Sequence, residues 1–125
     1  KDSYNVDAVA AHVGAVALRD TVYTAEVIER IKNDRAQLAT ALQEFGCHVW
    51  PSQANFLLVR PPQADAERVH RDLETQGVLV RYFDDPALAT TLRITIGTSD
   101  QHAVLLDSLR TILGGDPAAT TGNRA

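Results

Sequence analysis

Apolar and polar side chains alternate along residues 92–98, which read LRITIGT. In an extended chain the leucine and the two isoleucines share one side, whereas Arg93 and Thr95 share the other. This alternation is typical of a half-buried β-strand. Thr98 and Gln101 then have the spacing of a helix capping box. A final helix is therefore predicted to follow this strand and to end at a pair of glycines.

Three shorter β-prone segments precede that strand, at residues 47–50, 56–59 and 78–81. Between the second and third of them, apolar residues recur at helical spacing after Asp65, which is suited to cap a helix. Gly77 follows this helix as a C-terminal stop. The pattern predicts two strands, an amphipathic helix and a third strand before the strand at 92–98.

Two helices are expected to open the chain. The first runs from Val6 to Leu18 behind Asn5, which we predict to be its N-cap. The second begins near residue 20 and ends at Gly46, and Arg35 interrupts its apolar stripe. The predicted fold is α+β: a small, mainly antiparallel sheet covered by helices on one face and preceded by a long helical arm.

Composition narrows the class of protein. The chain has 125 residues, 45% hydrophobic and 22% charged, which suits one compact domain. Its formal net charge of -4 excludes a broad basic field for nucleic acid, and no run of about 20 apolar residues is present to cross a membrane. Cys47 is the only cysteine, so an intrachain disulfide is excluded and a cytoplasmic setting is expected.

Common catalytic motifs are absent from the sequence. No G-x-S-x-G nucleophile elbow occurs, and the dispersed glycines form neither a P-loop nor a dinucleotide fingerprint. The histidines have no metal-ligand spacing with one another or with the cysteine, so no metal site is predicted. They are His12, His48, His70 and His102.

Two arginines are the better candidates for ligand binding. Arg81 ends one predicted strand and Arg93 lies in the next, so antiparallel pairing can bring both guanidinium groups to one edge of the sheet. Two such planar groups form a good site for an oxyanion. The alternative is that each arginine pairs with a surface carboxylate, such as Asp84 or Asp85.

Three motifs together carry a resemblance to a known family. They are PSQANFLLVR at residues 51–60, GVLVRYF at 77–83 and LRITIGT at 92–98. In this order they resemble the C-terminal portion of the histidinol-phosphate aminotransferases, which are pyridoxal-phosphate enzymes of fold type I. The opening KDSYN resembles the segment before the helix that joins the large domain to the small one. The resemblance covers the chain from Lys1 to about Leu113.

The resemblance implies transfer of an amino group between L-histidinol phosphate and 2-oxoglutarate, in histidine biosynthesis, by a homodimer that uses pyridoxal 5'-phosphate. By motif, Arg93 matches the arginine that holds the substrate's carboxylate or phosphate, and Arg81 matches a second arginine that grips the phosphate. Tyr4 and Asn5 match residues at the hinge beside the active site, and Asn55 a position near the substrate. A helix cap for Asn5 and a turn for Asn55 are the alternative roles.

The sequence departs from the family pattern in one respect. The family's Schiff-base lysine and its cofactor-binding groups lie upstream, in the large domain. Lys1 and Lys32 are the only lysines here, and neither is predicted to lie in the desolvated pocket that imine chemistry needs. We therefore expect no catalytic residue in this chain, no cofactor held by it alone, and no transamination without the large domain of the same polypeptide.

The chain lacks methionine and begins with Lys1, so we expect it to be a segment of a longer polypeptide. The resemblance divides it into a hinge with the first helix at residues 1–20 and the small domain at 21–115. Residues 116–125 are mostly proline, alanine, threonine, glycine and asparagine with little to bury, which predicts a disordered tail. Two other functions remain open. One is another aminotransferase of fold type I, acting on an aromatic or aliphatic amino acid, and the other is a stand-alone small-molecule-binding or interaction module.

Overall fold

The computed structural model of the chain describes residues 6–114. Its elements follow the predicted order, with a single turn of 3-10 helix added at Pro62–Ala64. The helices are α1 (Ala8–Arg19), α2 (Thr21–Glu44), α3 (Ala66–Thr75) and α4 (Ser99–Leu113). The strands are β1 (His48–Val49), β2 (Phe56–Arg60), β3 (Arg81–Tyr82) and β4 (Leu92–Thr95). The tail predicted at 116–125 lies outside the described residues.

The four strands form one antiparallel sheet in the order β1-β2-β4-β3. Alternate residues of β2 and β4 are buried, and α2, α3 and α4 cover that side of the sheet. The buried side chains form one hydrophobic core, whose largest members are Leu38, Leu42, Leu57, Val59, Val69, Leu73 and Leu92. The predicted α+β fold, with helices on one face of a small sheet, is confirmed.

Two helices end in the same way, at a glycine in the left-handed conformation. Gly46 and Gly77 both have φ of 77°, which only glycine adopts at little cost. After Gly46, the Cys47 N–H donates to Leu42 O at 3.1 Å, and after Gly77, the Val78 N–H donates to Leu73 O at 2.9 Å. Each bond satisfies a carbonyl that the helix end leaves unpaired.

This helix ending also corrects the prediction for the third strand. We predicted a strand at residues 78–81, but β3 is Arg81–Tyr82. Because the Val78 N–H closes the end of α3, the chain is still tied to that helix where the apolar run begins. The residues from 78 to 80 therefore enter no ladder with β4, although their composition is that of a strand.

The helical arm also differs from the prediction in its first cap. The N-cap of α1 is Asp7, whose Oδ1 accepts from the Ala10 N–H at 2.8 Å, whereas Asn5 lies outside the described residues. The predicted break near residues 19–21 is confirmed, because Asp20 ends α1 and caps α2 through the Tyr23 N–H at 3.0 Å. An aspartate in this position satisfies the N–H groups of the new helix.

The arm exposes an apolar stripe. None of the side chains of α1 is buried, and Val9, Val13 and Val16 are all more than half exposed. Only the C-terminal half of α2 contributes to the core, through Leu38 and Leu42. None of the helices among residues 6–114 is both long and apolar enough to span a membrane.

Candidate functional site

Arg81 and Arg93 lie directly opposite each other on neighbouring strands. The register of β3 and β4 pairs Arg81 with Arg93 and Tyr82 with Leu92. Because Leu92 is buried, both arginines are on the side of the sheet that the helices leave uncovered, which we call the open face. Both side chains are exposed. The structure thus brings together the two arginines that the sequence singled out.

Two aromatic rings hold the guanidinium groups of this arginine pair. The Arg93 guanidinium lies 5.3 Å from the centre of the Phe56 ring and 5.9 Å from that of Phe83, and the Arg81 guanidinium lies 5.4 Å from Phe83. A guanidinium that packs against a ring keeps its N–H groups available for another ligand. The rings therefore restrict the arginines without occupying their donors.

From the sequence, Phe83 was open between a place in the core and one at the mouth of the substrate site, and Phe56 was not identified as part of the site. The sequence did contain a signal for Phe83, because this residue is two positions from Arg81 and so lies on the same side of an extended chain. Phe56 pairs with Thr95, the open-face neighbour of Arg93 on β4. The assignment of Phe56 was not possible before the register of β2 with β4 was known.

The carboxylates proposed as the alternative partners are not paired with these arginines. All ion pairs found among residues 6–114 join side chains three or four positions apart, on or next to helices. Asp85 Oδ1 instead accepts from the Ala87 N–H at 2.8 Å and shapes the turn after β3. Within the described part of the chain, the arginine pair therefore has no anionic partner.

Asn55 lies at the end of the loop that leads into β2. Its side chain is exposed, and its carbonyl accepts from the Ile96 N–H at 2.8 Å, which continues the pairing of β2 with β4 by one position. Asn55 thus extends the pairing of the two central strands through its backbone, and the structure shows no side-chain hydrogen bond for it. Tyr4 and Asn5, the other predicted peripheral residues, lie outside the described residues.

A bond from the helical layer reaches the same loop. Arg35 Nη1 donates to Ala54 O at 2.8 Å, although the two residues are nineteen positions apart. The sequence analysis noted Arg35 only as an interruption of an apolar stripe. That interruption was the available signal, because a charged side chain among buried neighbours requires a polar partner.

A groove of about 560 Å³ lies elsewhere, between residues 77–80 and 94–97 and beside the start of α4. Neither member of the arginine pair lines it. Two of its polar groups are already engaged, because Gln101 Oε1 accepts from the Thr98 N–H at 2.9 Å and His102 Nε2 accepts from the Gly97 N–H at 3.0 Å. We therefore place the candidate anion site at the arginine pair and not in this groove.

The described residues do not fit a covalently bound pyridoxal phosphate. Lys32 lies on α2, its ammonium is 2.6 Å from Glu29 Oε1, and its side chain is 52% exposed. A lysine that forms an imine near neutral pH needs a desolvated or electropositive pocket, which lowers its pKa. No group of three or more histidine, cysteine, aspartate or glutamate side chains within 6–114 is arranged to hold a metal ion.

The single cysteine belongs to the core and not to the site. Cys47 is buried, and desolvation by burial raises the pKa of its thiol to about 11. A thiol with such a raised pKa is protonated at neutral pH and is a poor nucleophile.

Comparison with known proteins places the chain in a family. Residues 1–109 match the family described as aminotransferase class I and II. The chain is 45% identical over 113 residues to histidinol-phosphate aminotransferase 1 of Trichormus variabilis, and the match covers 90% of this chain and 32% of that relative. The chain thus spans about a third of the length of the curated relatives it matches.

Solved structures show the same fold. Histidinol-phosphate aminotransferase from Clostridium acetobutylicum superposes with a TM-score of 0.79 at 22% identity, over 91% of this chain and 35% of that one. The enzyme of that name from Sinorhizobium meliloti, in complex with pyridoxal-5'-phosphate, gives 0.69 at 24% identity, over 78% and 27%.

The sequence match extends over the motifs that carried the resemblance, which is thereby confirmed. It includes both strands of the arginine pair and the loop before β2. The chain belongs to the class I and II aminotransferase family.

Proposed function

We propose that this chain is the C-terminal domain of a pyridoxal-phosphate-dependent histidinol-phosphate aminotransferase, and that Arg81 and Arg93 hold the anionic group of its substrate. The observation that carries the proposal is the cross-strand pairing of these two exposed arginines, which face no carboxylate within residues 6–114. The identity to histidinol-phosphate aminotransferases supports the choice of reaction.

The chemistry of the two substrates suits such a site. Histidinol phosphate carries a phosphate, whereas glutamate and 2-oxoglutarate carry carboxylates, and one site must accept both in turn. A guanidinium presents a planar set of N–H donors that binds either group through two parallel hydrogen bonds. Two neighbouring guanidinium groups, held by Phe56 and Phe83, supply enough donors for a phosphate and more than a carboxylate needs.

The open face is only one wall of the proposed active site. A second wall that excludes water would strengthen the attraction between the arginine pair and an anion, which is weaker when both ions are hydrated. We assign that wall, and the attachment of the cofactor, to polypeptide outside this chain. Residues 1–20 act as the hinge and 21–115 as the small domain in this proposal, and the complete enzyme is a cytoplasmic homodimer.

Bound pyridoxal phosphate supplies the electron sink for amino transfer. Among residues 6–114 no lysine is in a position suited to hold the cofactor, since Lys32 is exposed and ion-paired. We therefore propose that the chain alone does not transaminate. Its own contribution is to bind and orient the anionic end of the substrate.

The first test is the mass of the native polypeptide, measured by mass spectrometry after capture with an antibody to this segment. We expect a mass about three times the 13.6 kDa of this chain, as in the relatives of which it covers 32%. That longer protein should convert L-histidinol phosphate and 2-oxoglutarate, whereas this chain should not. A native mass close to 13.6 kDa would instead favour a small ligand-binding module.

The second test separates the substrate classes. In the longer protein, Arg81→Ala should lower kcat/KM for histidinol phosphate while the half-reaction with glutamate is retained. Equal losses with both substrates would contradict the assignment of Arg81 to the phosphate. A preference of the unmodified enzyme for an aromatic or aliphatic amino acid would favour another aminotransferase of the same fold type.

A further inference from the structure

One hydrogen bond connects the helical arm to the loop before the candidate anion site. Among residues 6–114, every other side-chain hydrogen bond joins residues at most five positions apart. The bond from Arg35 Nη1 to Ala54 O joins residues nineteen positions apart. It is thus the one long-range connection that a side chain makes by hydrogen bonding in the described part of the protein.

The position of Arg35 on α2 is one where an apolar residue is expected. Ile31, Leu38 and Leu42 follow the same stripe, and the last two are fully buried in the core. Arg35 is half-buried at the point where α2 passes from its exposed half into the core. A leucine here would bury more apolar surface than Arg35 does. The arginine instead makes a polar contact.

The acceptor of this bond lies at the centre of a cross-linked loop. Ser52 Oγ donates to Phe56 O at 2.7 Å and accepts from the Ala54 N–H at 3.1 Å. The Ile96 N–H donates to Asn55 O at 2.8 Å and ties the end of the loop to the chain leaving β4. Displacement of Ala54 therefore shifts the start of β2, where Phe56 is the first residue.

Phe56 in turn contacts the proposed anion site. Its ring centre lies 5.3 Å from the Arg93 guanidinium. We propose that Arg35 is a positioning residue: by holding Ala54 it keeps the Phe56 ring against Arg93, so that α2 determines the orientation of the anion-binding guanidinium. The hydrogen bond of Arg35 is to the loop, and Arg35 acts through it.

This inference rests on the proposed role of Arg93 in binding an anion, and its test must separate the two claims. The chain is labelled with nitrogen-15, and the Arg93 Nε–Hε signal is followed by NMR during titration with inorganic phosphate at constant ionic strength. The ring-current shift of that signal before phosphate is added reports the contacts of Arg93 with Phe56 and Phe83, of which Phe56 is the closer. The affinity for phosphate reports the anion site.

Arg35→Met removes the donors and keeps the length of the side chain. We expect it to reduce the ring-current shift of Arg93 and to weaken phosphate binding roughly threefold or more, as for residues coupled within one network. Arg30→Met is the matched control, because Arg30 is an exposed arginine on the same helix. It should change neither quantity. Arg35→Lys retains one donor and should restore part of both.

Unchanged shift and affinity in Arg35→Met would overturn the positioning role. If the unmodified chain binds no phosphate, the proposed anion site fails, and the ring-current shift alone then decides whether Arg35 positions Phe56. If Arg35→Met does not fold, Ser52→Ala provides the same test, because it removes the bonds of Ser52 to Ala54 and Phe56 without altering α2. Loss of the ring-current shift in Ser52→Ala supports the route through the loop, and its retention contradicts it.

Discussion

The arginines of the helices and those of the open face have different neighbours. On or beside α3 and α4, carboxylates three or four positions away pair with Arg68, Arg71 and Arg110. On the open face, aromatic rings pack against Arg60, Arg81 and Arg93, and none of the three has a carboxylate partner among residues 6–114. Arg110 also lies 5.8 Å from the centre of the Phe45 ring, so the carboxylate partner and not the ring distinguishes the two groups. A carboxylate occupies the N–H donors of an arginine, whereas a ring leaves them available. The same type of side chain is thus engaged in an ion pair in one region and keeps its N–H donors available in the other.

Neither kind of contact contributes much to the stability of the fold. An exposed ion pair contributes roughly 0.2–1 kcal/mol to stability, and an exposed contact between a cation and a ring contributes about 0.5–1 kcal/mol. Neither contribution is large enough to explain the fold, which depends on the apolar core. The open-face arginines are therefore expected to matter for binding far more than for folding.

The largest expected effect is on stability and comes from the covered side of the sheet. Leu73→Ala removes a fully buried side chain from α3 and should lower the free energy of unfolding by about 2–5 kcal/mol. Arg81→Ala, the control on the open face, should change it by less than about 0.5 kcal/mol. Urea denaturation followed by circular dichroism measures both. A comparable loss in the two variants would contradict the division of roles between the faces.

A smaller effect is expected on catalysis in the longer protein. Arg93→Met removes charge-assisted hydrogen bonds to the substrate, each contributing about 1.5–3 kcal/mol, so kcat/KM should fall at least about tenfold. The control is Arg71→Met on α3, where the arginine pairs with Glu67. Steady-state assays with both substrates measure kcat/KM for the two variants. An Arg93→Met enzyme as active as the control would contradict the assignment of Arg93 to the substrate site.

The pH dependence of stability provides a third test, on the dryness of the core. Burial raises the pKa of the Cys47 thiol from 9.0 to about 11, so the folded state favours the protonated thiol. Its contribution to stability is fully present below pH 9 and is lost as the pH rises toward 11. The free energy of unfolding of the original chain, measured by urea denaturation, should therefore fall over this range more than that of Cys47→Ala. Identical profiles would mean that water reaches the thiol.

The smallest effect is expected for an ion pair of the helices. Arg71→Met breaks the contact with Glu67 on the exposed surface of α3, and the free energy of unfolding should change by about 0.5 kcal/mol or less. The measurement is again urea denaturation, at low and high salt. A loss greater than about 1 kcal/mol would contradict the small contribution to stability that we expect from an exposed ion pair.

Local signals in the sequence were sufficient for much of the fold. Gly46 and Gly77 indicate helix ends because their left-handed backbone is costly for other residues, and both helices end there. The capping box of Thr98 and Gln101 is likewise observed at the start of α4. Each of these features depends on residues a few positions apart, which a single sequence displays directly.

Competition between elements limited the prediction elsewhere. Residues 78–80 have the composition of a strand, but the Val78 N–H bonds to the end of α3, and composition alone does not reveal which partner prevails. The position of Asn5 before an apolar stretch suggested a cap, whereas Asp7 has that role. Both errors concern the exact ends of elements, where a shift of two or three residues changes little in the apolar pattern.

The candidate site was predictable only in part, because some of its contacts depend on strand register and on packing. The alternation of residues placed Arg81 and Arg93 on neighbouring strands, and their exact opposition followed from the observed register. The contacts of Phe56 with Arg93 and of Arg35 with Ala54 join distant parts of the chain. Such contacts depend on how the elements pack together, which the sequence of one chain does not encode in any local pattern.

The most direct test of the anion site compares the arginine pair with three arginines of the helices in one experiment. The Nε–Hε signals of the isotopically labelled chain are followed by NMR while inorganic phosphate replaces chloride at constant ionic strength. We expect the signals of Arg81 and Arg93 to shift along one saturating curve with a shared Kd. Those of Arg68, Arg71 and Arg110 should not shift in this way, because carboxylates already occupy their donors. Uniform, non-saturating shifts of all five arginines would contradict the assignment of an anion site to the open face.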